Sequence, residues 1–364
     1  MSKVILISQV PLPHKKIGSW TTLYKNYLEN NHKIDYIVCN EPEIKFESVE
    51  YSFVANSFSE KITKRITKNP YAGYLKALNQ ILKSEEKYII QIVDNFGIVK
   101  KLISFLKKEN KRSQCYIQFF YHGFPPFYGN FDGRWFLESI DEIILLTNDS
   151  YLAHKNAYTI LPTRFSVLHN GIDTSKFYKV TAEKKADLKK ELGITAEKVF
   201  IWCSQDRPKK GLDFILDVWK RADKQNKNTI FLVIGADREV SIEGVSFLGR
   251  IPNDELPKYY QVADSYLFPT LCHEGFGMSL IEAMHCGCYC IASANGGVPE
   301  VLQYGKLGKL IERPNFLEDW VSEIEIFLTK DETYKPLIPE NLYTIQSWNS
   351  GMNAIIDNAK KSLI

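Results

Sequence analysis

At 364 residues the chain is too long for one ordinary hydrophobic core, so two domains are expected. Its make-up, 45% hydrophobic and 24% charged, is that of a soluble globular protein rather than a disordered or fibrous one. Forty-six basic residues against forty-three acidic leave a net +3, too little to indicate a nucleic-acid binder, and no nucleic-acid partner is expected.

No apolar run approaches the ~20 residues that span a bilayer. The opening MSKVILISQV is too short in its apolar part for a leader peptide and lacks a small-residue cleavage site, so it reads as a buried strand. Seven cysteines, an odd number without framework spacing, point to reduced thiols and a cytoplasmic chain.

In chain order, Lys3–Gln9 (KVILISQ) is a β-branched run ending in turn residues, the pattern of a buried parallel strand. A loop with Gly18-Ser19 follows, then helical spacing at Leu23, Tyr27 and Leu28. Backbone N–H groups at such a helix start attract phosphate, but Gly18 lacks a G-x-G-x-x-G context, and a plain turn fits equally well. Further strand runs fall at Lys33–Cys39, Tyr88–Val93, Cys115–Tyr121 and Glu142–Thr147, with helices at Ala72–Leu82 and Gly97–Lys108. This alternation predicts a parallel sheet covered on both faces, with ligands at the carboxyl ends of its strands. His122 directly follows one strand and so belongs to that edge. It suits a substrate hydroxyl or phosphate, although a histidine bonded to its own loop is the simpler reading.

Between Lys61 and Lys83, six basic residues (Lys61, Lys64, Arg65, Lys68, Lys76 and Lys83) interleave with Ile62, Ile66, Tyr71, Tyr74, Leu75 and Leu78. Such a stretch can rest on anionic headgroups, or it can be a solvated helix face.

The join reads VLHNGIDTSKF, an Asn170-Gly171 turn before a highly charged segment, which places the domain boundary at residue 172. New strands follow at Lys198–Cys203, Thr229–Ile234, Val245–Leu248, Ser265–Phe268 and Cys288–Ala292, so the second half is another α/β sheet. Two such domains would face each other across a cleft. After the first of these strands, Arg207, Lys209 and Lys210 lie at a strand–helix turn, chemistry suited to a diphosphate. Gly249 ends a strand where a backbone could pair with a flat base.

The stretch Glu274–Glu300 (EGFGMSLIEAMHCGCYCIASANGGVPE) organises this half. Gly275-Phe276-Gly277 turns tightly into the helix Met278–His285, whose first N–H groups, including those near Met278 and Ser279, suit an anion. Glu274 precedes that helix and Glu282 lies within it, and carboxylates suit vicinal hydroxyls. A glycosidase-like acid/base pair is the chemical rival, and the phosphate-type loop between the two acids argues against it. Cys286, Cys288 and Cys290 would put three sulfurs on one strand face, as core residues rather than metal ligands. No Asp-x-Asp occurs, so neither a metal nor another cofactor is expected.

EGFGMSLIEAM and GGVPE resemble the C-terminal signature of the retaining GT-B glycosyltransferases of the family 4 type (glycosyl transferases group 1), a group containing sucrose synthase, glycogen synthase and phosphatidylinositol mannosyltransferase. HNGIDTSKF is similar to that family's interdomain segment and PKKG to its donor loop. The resemblance implies two Rossmann-like doubly wound domains facing across a cleft. The acceptor-side domain would be residues 1–172, completed by a helix over residues 347–364, and the donor domain residues 173–346. It further implies a UDP- or GDP-sugar donor, a glycan or lipid-linked acceptor, retention of configuration without metal, and a role in surface polysaccharide or lipopolysaccharide synthesis. By resemblance Glu282 takes the ribose hydroxyls, Glu274 the hydroxyls of the transferred sugar, and Lys210 the diphosphate. The backbone from Gly275 to Ser279 contacts the donor, His122 lies near sugar and acceptor, and Gly18 approaches the phosphates.

Departures are specific. Ser19 replaces the second glycine of the N-terminal pair, and Gln205 and Ser204 hold the places of an arginine, for which Arg207 is taken as substitute. Two rival functions follow: an NDP-sugar epimerase or hydrolase of GT-B type, and a non-catalytic sugar-nucleotide-binding partner.

Overall fold

The computed structural model describes residues 2–14, 18–54, 69–224, 228–329 and 336–363. Two compact units result: Met1–Asn170 with Ile345–Ile364, and Gly171–Thr344. The divisions fall two residues before 172 and 346. Gly171 begins the second unit, and Ile172 bridges in parallel to Thr344, so both chain crossings belong to that unit.

In the first unit the strands are β1 (Lys3–Ile7), β2 (Tyr36–Cys39), β3 (Glu50–Phe53), β4 (Tyr88–Val93), β5 (Cys115–Phe120), β6 (Glu142–Leu145) and β7 (Arg164–Val167). They pair in parallel in the order β3-β2-β1-β4-β5-β6-β7. Its helices are α1 (Ser19–Leu28), α2 (Ala72–Ile81), α3 (Phe96–Lys108), α4 (Asn130–Ser139) and α5 (Asn148–Ala157). The second unit has α6 (Ala182–Glu191), β8 (Lys198–Cys203), α7 (Leu212–Arg221), β9 (Thr229–Ile234), β10 (Val245–Phe247), α8 (Leu256–Val262), β11 (Ser265–Phe268), α9 (Met278–His285), β12 (Tyr289–Ser293), α10 (Val298–Val301), β13 (Lys309–Ile311) and α11 (Leu317–Thr329). Its sheet order is β10-β9-β8-β11-β12-β13, again parallel. The last helix, α12 (Ile345–Ser362), returns to the first unit.

Both sheets are covered as parallel sheets must be. On one face of the first sheet α2, α3 and α4 supply Leu78, Leu102 and Phe136 to a core with Ile90, Ile117 and Phe119. On the other, α1 and α12 meet: Trp348, Met352 and Ile356, spaced four apart, pack beside Tyr24 and Tyr27. Trp348 stands edge-on to both tyrosines, 5.5 and 5.7 Å between centroids. A polar ladder crosses this core in register. Tyr24 donates to Gln91 (3.3 Å), Gln91 to Gln118 (3.0 Å), Gln118 to Glu142 (2.8 Å), and Ser166 to Glu142 (2.5 Å). A one-residue slip of β4 or β6 against β5 would strand these buried groups, so the ladder fixes the pairing.

Strands β3, β7 and β13 were not anticipated. Each is a short edge strand whose mixed composition (EYSF, RFSV, KLI) leaves no apolar run to read. The run expected from Lys33 starts its strand at Tyr36, because the Asp35 carboxylate instead takes the Val4 N–H (2.8 Å) and Lys3 Nζ (3.2 Å). The three-cysteine strand face is corrected as well: Cys286 caps the end of α9, Cys288 precedes β12, and only Cys290 lies on it. Of the basic stretch, Lys61, Lys64, Arg65 and Lys68 lie outside the described residues, while Lys76 and Lys83 are exposed. Among the described residues no helix is long and apolar enough to cross a membrane.

Candidate functional site

The carboxyl edge of the second sheet is joined by backbone contacts from loop to loop. The loop after β8 makes a tight turn over Pro208–Lys210 and reaches Gly211, whose φ of 72° starts α7. A Cβ at Gly211 would run into the Pro269 carbonyl at the end of β11, and Leu271 N–H donates to Lys209 O at 2.9 Å. Only glycine permits so close an approach with a left-handed φ. On the far side, Glu274 bridges in parallel to Gly296, at the end of β12, and Gly297 N–H donates to Glu274 O at 2.8 Å. Gly296 has φ 66°, and a Cβ there would collide with the Glu274 backbone. The two glycine turns flanking this stretch are therefore one structure, with Asn295 adding a bond from Nδ2 to Thr270 O (3.1 Å).

These contacts set the side chains. Lys210 Nζ lies 2.5 Å from Glu274 Oε2, and each side chain is about one-fifth exposed, 21% and 19%. The pair sits before α9, which starts at Gly277 (φ 92°) with no side chain capping it. The first N–H groups of a helix have no intrahelical acceptor, so those of Met278 and Ser279 form a positive helix end beside the ion pair. Gly275 and Phe276 make the turn; the Phe276 ring is buried and edge-on to Tyr343, 5.1 Å between centroids, so only its backbone is available. The Ser279 hydroxyl is held by Tyr266, whose OH stands 2.7 Å from Ser279 Oγ and 3.2 Å from Cys203 O.

Glu282 has the opposite environment. Its partner is the buried Tyr260 hydroxyl, 3.3 Å from Oε2, and burial pushes its carboxyl up to about 7. One acid of the motif is thus an ion-paired carboxylate and the other a half-buried acid whose charged form burial disfavours. A ligand bearing an anion and hydroxyls could draw Lys210 and the helix end to the former and both acids to the latter.

Around this centre, Gly249 turns with φ 62° into open space and accepts from Gly235 N–H (2.7 Å). Arg207 is exposed and forms no ion pair among the described residues. Arg238, not singled out by sequence reasoning, grips Asp206 through Nε and Nη2 (2.8 and 2.7 Å) and also reaches Asp213. Asp206 is consequently held below the ordinary carboxylate range. An arginine three residues beyond the glycine that follows β9 was the available signal; its acidic partners lie 32 and 25 residues away.

Gly18 and His122 belong to the first unit. Gly18 precedes α1 in an extended conformation (φ −148°), so its backbone alone does not demand glycine; a Cβ would lie 3.0 Å from Thr21 Oγ1. His122 follows β5 and meets Asp94, a residue sequence reasoning passed over: its backbone N–H donates to Asp94 Oδ1 at 2.8 Å. Among the described residues no three His, Cys, Asp or Glu side chains gather as a metal ion requires.

The chain is similar to known proteins in sequence and in fold. The family model for Glycosyl transferases group 1 matches residues 184–341. The chain is 24% identical over 245 residues to D-inositol 3-phosphate glycosyltransferase of Mycobacteroides abscessus, covering 62% of this chain and 53% of that one, so it spans about half of that relative. It is 25% identical over 358 residues to an uncharacterized 41.2 kDa protein in the cps region of Klebsiella pneumoniae, covering 93% and 90%. Among solved structures it is similar to Anabaena Alr3699/HepE in complex with UDP and glucose, with a TM-score of 0.69, 15% identity and coverage of 98% and 100%. Most of the second unit thus matches the glycosyl transferases group 1 family, and the two Rossmann-like domains have the GT-B fold.

Proposed function

We propose that this chain is a retaining glycosyltransferase that moves a sugar from a UDP- or GDP-sugar to a glycan or lipid-linked acceptor in surface polysaccharide synthesis. The observation that carries the reading is the Lys210–Glu274 pair at the uncapped start of α9, with Glu282 one turn further on. On this reading the donor diphosphate takes Lys210 from Glu274 and lies against the α9 amino end, where positive charge meets the leaving group as it departs. Glu274, released, accepts from hydroxyls of the transferred sugar, and Glu282 accepts from the ribose hydroxyls. Arg207 is a further cation for the phosphates, and Gly249 offers backbone to the base. The first unit supplies the acceptor side, with His122 at its sheet edge. The UDP-bound neighbour supports a nucleotide donor, and the lack of an Asp-x-Asp supports chemistry without metal. The exposed Lys76 and Lys83 support peripheral contact with an anionic membrane.

A thermal-shift panel of UDP, GDP, ADP and their sugars, run in EDTA, tests the reading. One nucleotide should raise Tm by several degrees and the others by little. No shift with any of them overturns the donor assignment, and a shift that needs added Mg²⁺ overturns the metal-free part. Glu274→Gln should keep the nucleotide shift and lose transfer; unchanged transfer removes Glu274 from the site.

A further inference from the structure

The carboxyl edge of the first sheet holds a carboxylate–imidazole pair. Asp94 directly follows β4 with φ 49°, a left-handed conformation unfavourable for a non-glycine residue. Its own N–H donates to Phe120 O at 3.0 Å, which holds the turn against the neighbouring strand. In that conformation its carboxylate reaches the residue after β5 twice. Oδ1 accepts the His122 backbone N–H at 2.8 Å, and Oδ2 stands 3.2 Å from His122 Nδ1. That approach is close but off the line of a hydrogen bond, and Nδ1 is shut from solvent with no other partner among the described residues. The 13% of the His122 side chain that solvent reaches therefore excludes Nδ1.

We infer that Asp94 is a positioning residue that holds the His122 proton on Nδ1 and so presents Nε2 to the acceptor as a hydrogen-bond acceptor. The role of His122 rests on the function proposed above; the Asp94–His122 arrangement does not. A carboxylate has only acceptors, so a neutral ring facing it must carry its proton on Nδ1, leaving the Nε2 lone pair for a hydroxyl. The backbone bond to Oδ1 fixes which oxygen is left for the ring. The strained turn is the local cost of aiming both oxygens at one residue.

The substitution Asp94→Asn separates these statements. An amide has one oxygen and one NH₂. If the oxygen keeps the His122 backbone N–H, the NH₂ faces Nδ1 and forces the ring proton to Nε2. Asparagine also tolerates the left-handed φ, so the turn is retained. Long-range ¹H–¹⁵N NMR of the histidine rings, with His122 assigned by loss of its signals in His122→Gln, reads the tautomer directly. The wild type should show the Nδ1-protonated ring and Asp94→Asn the Nε2-protonated ring. The same tautomer in both overturns the inference. Should Asp94→Asn fail to fold, Asp94→Gly removes both oxygens at a position whose φ suits glycine, and it should lose the Nδ1-protonated signature; keeping it overturns the inference equally. In transfer assays Asp94→Asn should lower kcat on the order of 10- to 100-fold and leave the nucleotide-induced Tm shift unchanged. An altered tautomer with unchanged kcat overturns the acceptor role of Nε2 while leaving the pairing in place.

Discussion

The carboxyl edges of the two sheets are built differently. In the second unit glycines lie against backbone: Gly211 on Pro269, Gly235 on Ser204 and Gly296 on Glu274, so one loop fixes the next. In the first unit the glycines near the corresponding edge lie against tyrosine rings, Gly97 under Tyr71, Gly123 under Tyr121 and Gly133 under Tyr158. Exposed aromatics stand beyond His122, Phe127 in the loop that follows it and Phe131 in the first turn of α4. Backbone-to-backbone contact leaves no room for a side chain and no rotamer to adjust, whereas a ring can turn or be replaced. The second edge is suited to hold one ligand in one pose, and the first to change its surface while keeping its scaffold.

The largest expected effect is at Gly296. Gly296→Ala must force its Cβ away from the Glu274 backbone and hold φ 66°, and it should cost about 3–5 kcal/mol by urea denaturation. A loss under about 1 kcal/mol would show the edge to be soft and would erase the contrast. Glu282 comes next. Its carboxyl is raised from 4.5 to about 7 by burial, so between those values the folded chain keeps a proton that the unfolded chain has released. Stability therefore falls as pH rises across that window and is level above it. Glu282→Gln should remove this slope and stabilise the ligand-free chain at pH 8 by about 2–3 kcal/mol, while weakening nucleotide binding about 10- to 100-fold. Tm against pH for both forms checks the first part and titration calorimetry the second; a slope that survives in the variant assigns it elsewhere. The smallest effect belongs to the first edge. Phe131 is 88% exposed, and Phe131→Ser should change stability by less than about 0.5 kcal/mol and leave the nucleotide shift intact. If it raises the acceptor KM, the contrast is sharpened into a division of labour.

Much of the fold was legible because buried parallel strands write themselves as apolar runs. Lys198–Cys203, Ser265–Phe268 and the helix Met278–His285 were all readable at their observed limits. Edge strands such as Arg164–Val167 were not, since solvent on one side removes the pattern. Of the candidate site, Lys210, Glu274 and Glu282 were legible as residue types at a spacing, but not as an ion pair beside a buried acid. Asp94 and Arg238 were opaque, because their partners lie 28 and 32 residues away along the chain.

The sequence by itself determined the buried central strands, that there are two α/β units, and the residue types of the Lys210, Glu274 and Glu282 set. It could do so because burial and turn chemistry act over a few residues. Tertiary structure decided that Glu274 meets both Lys210 and Gly296, that Glu282 meets the Tyr260 hydroxyl and no cation among the described residues, and that Asp94 faces His122. Charge state and orientation depend on what arrives from distant parts of the chain, and in a low-dielectric setting a neighbour 3 Å away outweighs anything written in local spacing.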